Sequence, residues 1–98
     1  MTNATKIFNE SVAIVRKSIG AGGFKWAAVE NPESMVNAVA YEAIADALID
    51  TELSSREQRA IRNEVALMAG CELSDICAPL YLMKNEIAEI NNVVLSNI

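Results

Sequence analysis

Ninety-eight residues, 52% hydrophobic and 21% charged, suit one domain (1–98) with a single core and exclude a disordered, highly charged chain. A formal net charge of −5 argues against broad electrostatic attachment to nucleic acid or to an anionic membrane, both of which want a basic surface. No apolar run approaches the ~18 residues of a membrane span, and the opening MTNATKIFNE lacks the basic-then-apolar layout of a signal peptide, so a cytoplasmic location is expected.

Asn3 or Thr5 can cap a first helix running to about Ile19. Its seam is Phe8, Val12, Val15 and Ile19, at spacings of four, three and four. Gly20, Gly22 and Gly23 are expected to end it. The loop that follows carries Phe24, Lys25 and Trp26. A glycine-rich loop before a lysine suggests a phosphate cradle, but the P-loop spacing is absent and no strand precedes it. Two other readings are a hinge whose aromatics plug the end of a bundle, and an interaction epitope anchored by Phe24 and Trp26.

The stretch 31–50, NPESMVNAVAYEAIADALID, is the centre of the chain. Asn31 is a good N-cap, Pro32 suits the first helical position and Glu33 favours the positive end of the helix dipole. Placed at about 100° per residue, Glu42, Asp46 and Asp50 form one narrow stripe and nearly everything else is apolar. Five alanines in its interior favour helix and let neighbouring helices approach closely. Asn37 falls on the face of Tyr41, Ile44 and Leu48, where a lone asparagine can fix register and oligomer state, or can instead bond a loop or water.

Ser54 or Ser55, with Glu57 or Gln58 three residues on, opens a third helix that stops at Gly70. Ile61, Val65, Met68 and Ala69 form its core face. Arg56, Arg59 and Arg62 occupy an adjoining band, three of the chain's eight basic residues, with Glu57 and Glu64 on the other flank. The band is either a solvated face paired with carboxylates or a contact patch for an acidic partner or a phosphate, with Leu67 beside Asn63 as its apolar anchor.

Ser74 can cap a last helix to about Asn97, with Pro79 either kinking it or starting it afresh. Ile76, Leu80, Met83, Ile87, Ile90 and Val94 recur at spacings of four and three, a heptad-like seam. Leu82, Val93, Leu95 and Ile98 widen the apolar surface beyond it.

Ala66, Gly70 and Ile76 occupy the small-residue, turn-glycine and buried-aliphatic positions of a helix-turn-helix across residues 62–81. Over about 20 residues this resembles DNA-binding repressors, which implies a recognition helix LSDICAPLY. That segment lacks arginine, lysine, asparagine and glutamine to read base edges, so the pattern reads as a packing corner.

Catalytic and metal signals are weak. The chain has no histidine for acid–base work near neutral pH, and Cys71 and Cys77 match neither a redox pair nor a zinc spacing. Glu42, Asp46 and Asp50 without Glu-x-x-His pairs read as a solvent face. No metal or cofactor is expected, and no catalysis.

The expected fold is all-α: a compact four-helix bundle with helices near 4–19, 32–50, 55–69 and 75–97. The apolar surface of the second and fourth helices exceeds what one face would bury, so a homodimer is expected through Asn37, Tyr41, Ile44, Leu48, Met83, Ile87, Ile90 and Val94. For function, the leading expectation is a small non-enzymatic protein that binds another macromolecule, a protein first, through Arg56, Arg59, Arg62, Asn63 and Leu67 or through Phe24, Lys25 and Trp26. Short acidic helical chains of this composition are common among phage and mobile-element inhibitors, including anti-CRISPR proteins, an analogy of composition alone. The alternatives are a DNA- or RNA-binding regulator using residues 62–81, and a nucleotide or small-ligand sensor at a dimer interface.

Overall fold

At three of the described helix starts a polar side chain accepts from a backbone N–H of the first turn or cap. In the computed structural model, which describes residues 3–22, 32–70 and 82–98, every regular element among the described residues is an α-helix. Helix α1 spans Ala4–Gly22, α2 Pro32–Ile49, α3 Ser55–Ala69 and α4 Lys84–Ser96. Asn3 caps α1, its Oδ1 accepting from the Lys6 N–H at 3.0 Å. Ser54 caps α3: its hydroxyl accepts from the Glu57 N–H at 3.2 Å and donates to the Glu57 carboxylate at 2.9 Å. At the far end of α3, Gly70 takes the left-handed conformation (φ 70°) and its N–H reaches the Ala66 carbonyl.

Two boundaries differ from the sequence expectation. Helix α1 continues through Gly20 to Gly22, since glycine weakens a helix by about 1 kcal/mol without forbidding it. The last helix starts at Lys84, not near residue 75. Met83 is extended (φ −84°, ψ 162°), and its N–H is taken by the Glu86 carboxylate at 2.8 Å, so a fresh start replaces a continuous helix. Residues 71–81, with Ser74, Ile76, Pro79, Leu80 and both cysteines, lie outside the described residues.

Packing follows from the apolar faces. Helices α1 and α2 pack on each other and each also packs on α3 and α4, whereas α3 and α4 stand at opposite corners. The expected central helix thus shares its place with α1. Helix α2 is buried almost all round: Val39, Ala40 and Ile44 have no exposed surface and Val36 and Leu48 about 1%. Alanine at position 40 removes the side-chain bulk that would hold a neighbour away. The termini are joined by the Asn3 N–H, which donates to the Asn97 carbonyl at 2.9 Å. An exposed Arg16–Glu33 pair at 2.6 Å links α1 to the first turn of α2, worth no more than about 1 kcal/mol. The radius of gyration of 12.6 Å matches the ~13 Å of a compact domain of this length.

The buried face of α1 is wider than the Phe8–Val12–Val15 seam. Ile7, Ser11 and Val15, four residues apart, are wholly buried beside Phe8 and Val12, with Ala4 at the start. The Ser11 hydroxyl has no hydrogen-bond partner among the described residues. An unpaired buried hydroxyl costs about 1–3 kcal/mol, and alanine is also the better helix former. Ser11→Ala is therefore expected to raise stability by about 1 kcal/mol, read as a higher midpoint in urea with an unchanged slope. A lowered midpoint would show that the hydroxyl is satisfied.

A second local prediction concerns Gly70. A β-carbon there would meet nothing within 4 Å, so the penalty of Gly70→Ala is that of the backbone conformation alone. A loss of about 1 kcal/mol is expected in the same urea titration.

Candidate interaction surface

Most of the residues expected at a subunit interface are spent inside the chain. Tyr41, Ile44 and Leu48 on α2, and Ile90 and Val94 on α4, are each no more than 3% exposed and sit in the core. Asn37 and Ile87 are half-buried, and Met83 is exposed before α4 begins. The apolar excess of α2 and α4 is absorbed because these helices pack on α1 and on each other within one chain. One chain thus covers those five side chains by itself, and the structure leaves Asn37, Met83 and Ile87 as the members of that set with exposed surface.

The acidic stripe also divides. Asp46 and Asp50 are exposed, but Glu42 is buried (9%), while Ile49 between the two aspartates is 68% exposed. Among the described residues no three acidic or cysteine side chains come together as a cation would need. No helix among them is long and apolar enough to cross a membrane.

Helix α3 carries what remains outward. Ile61, Val65 and Ala69 are buried and Met68 packs partly against them, as the sequence pattern requires. The opposite side of the helix holds Arg56, Ala60, Asn63 and Leu67, all exposed, and Leu67 at 83% is the most exposed of the large hydrophobic residues described. Arg59 is exposed on one flank of this strip, and Arg62 is half-buried where that flank meets the core. On the other flank, Glu57 and Glu64 edge an open groove floored by Ala60 and Ile61.

No carboxylate lies within ion-pair range of Arg56, Arg59 or Arg62 among the described residues, so the arginine band is not paired off by them. The structure thus brings together five of the expected contact residues: Arg56, Arg59, Arg62, Asn63 and Leu67. Phe24, Lys25 and Trp26 lie outside the described residues, as does the glycine-loop phosphate site. Of the helix-turn-helix pattern, α3 and its left-handed Gly70 are in place, and the segment that would read DNA is outside the described residues. Helical spacing puts Glu57 and Glu64 on that flank but does not reveal the groove between them.

Protein-family models, curated proteins and solved structures were each compared with this chain, and none matches it.

Proposed function

We propose that the chain is a non-enzymatic helical binding protein, and that the outward face of α3 is where it grips another macromolecule. The observation that carries this reading is Leu67, 83% exposed on the same outward strip of α3 as Arg56 and Asn63, one to three turns beyond arginines that have no carboxylate partner among the described residues. Set beside arginine, it is the pairing that protein contact sites favour: an apolar anchor that excludes water around charge-assisted hydrogen bonds. The favoured partner is a protein with an acidic surface bordering an apolar pocket.

Affinity capture from native lysate, divided and half treated with nuclease, tests this directly. A stoichiometric protein partner that survives nuclease supports the reading. Recovery of nucleic acid, with loss of companion proteins after treatment, would replace it with a nucleic-acid regulator, whose affinity would fall steeply with salt.

A further inference from the structure

We infer that the outward face of α3 is self-complementary, and that a second copy of this chain covers it through parallel pairing of the two α3 helices. The inference rests on the reading of α3 as the contact face and names what occupies that face before any foreign partner arrives. Arg56, Ala60, Asn63 and Leu67 follow one another at spacings of four, three and four, the stripe of a two-heptad seam. All four are exposed, whereas the core-facing side chains of α3 lie on the opposite side. The flanks of the seam differ in sign: Arg59 lies on one, Glu57 and Glu64 on the other.

That segregation decides the orientation. If the two helices ran antiparallel about a twofold axis, each flank would meet its own kind, arginine beside arginine and glutamate beside glutamate. If they run parallel, the basic flank of each lies along the acidic flank of the other. Arg59 then stands five residues before Glu64 of the second copy, the spacing at which flanking residues pair across a parallel seam. Arg56 meets Glu57 of the second copy, and symmetry repeats both pairs. The groove between Glu57 and Glu64, floored by Ala60 and Ile61, provides an apolar bed for the stem of the incoming Arg59 and carboxylates on either side of its guanidinium. By the same twofold Arg56 faces its own counterpart, a like-charge contact offset by the two Glu57 carboxylates beside it, and Asn63 faces its own, a polar contact that favours one register. Leu67 covers its twin.

Sedimentation velocity on the purified full chain, from about 10 µM to about 1 mM, tests this without any foreign partner. The wild-type chain should sediment increasingly as a dimer as concentration rises. Arg59→Glu alone and Glu64→Arg alone should each weaken association at least tenfold, because every cross-copy pair at that position becomes a like pair. The double variant carrying both changes should dimerise like the wild type, since the signs are merely exchanged. All these side chains are exposed, and an unchanged helical circular dichroism signal confirms the fold. A wild-type chain that stays monomeric across the range overturns the inference, as does a double variant no better than the single ones. The same double variant presents reversed flanks to a foreign protein, so loss of capture with retained self-association separates the two readings.

Discussion

Ile44→Ala is expected to lower the stability of the chain by about 2–5 kcal/mol. Ile44 has no exposed surface, and it sits on α2, the helix that packs on α1, α3 and α4 at once. Removing its branched side chain forfeits transfer free energy and leaves a cavity that three flanking helices cannot all move to fill. For a domain of this length each kcal/mol is worth about 4–8 °C, so the melting temperature should fall by roughly 10 °C or more. Ile49, at the end of the same helix and 68% exposed, supplies the control. Ile49→Ala should change stability by no more than about 0.5 kcal/mol. The Ile44→Ala penalty should also be the same at low and high protein concentration, since the side chain is buried within one chain. A penalty that grows with concentration would return Ile44 to a subunit interface.

The second large effect is on binding and leaves the fold alone. Leu67→Asp replaces the 83% exposed side chain with a charge of the sign that an acidic partner repels. A central anchor of this kind carries about 2 kcal/mol or more, so affinity for a captured protein should drop at least about thirtyfold. Stability should move by less than about 0.5 kcal/mol, because the leucine contributes little burial to the fold. The helical circular dichroism and the melting temperature, measured on the same samples, check the second half of that statement. Measured at a concentration where the chain is monomeric, a Leu67→Asp chain that melts well below the wild type would mean that the leucine is covered in the folded domain.

How far these features can be read from sequence depends on how local their causes are. Asn3, Ser54 and Gly70 act within one turn of their own helices, so residue type and spacing point to Ser54 and Gly70 and narrow the first cap to Asn3 or Thr5, of which the structure uses Asn3. The division of α3 into a core face and an outward face follows from one helix's periodicity, and so Arg56, Arg59, Asn63 and Leu67 could be grouped in advance. The start of the last helix could not. Its heptad-like spacing runs unbroken through Met83, yet the chain turns there, because the Glu86 carboxylate takes the Met83 N–H and opens a new helix. Nor does apolar content say whose side chains will cover it. Tyr41, Ile44, Leu48, Ile90 and Val94 look the same in sequence whether their neighbours belong to the same copy or to another. Only the packing of α1 and α4 around α2 shows that one chain suffices for them. Ser11 was missed for a related reason: a serine is ordinarily an outward residue, and its burial is imposed by Ile7 and Val15 one turn to either side.

The central claim is that binding resides on α3, and two exposed leucines offer the cleanest comparison. Leu67 on α3 and Leu95 on α4 are 83% and 58% exposed, on helices at opposite corners of the fold. Affinity capture from nuclease-treated lysate should be run side by side with the wild-type chain, Leu67→Asp and Leu95→Asp. The account predicts that the Leu95→Asp chain retains the wild-type partner and that the Leu67→Asp chain loses it. Retention by Leu67→Asp, or loss by Leu95→Asp with its fold intact, would contradict the claim and move the binding surface off α3.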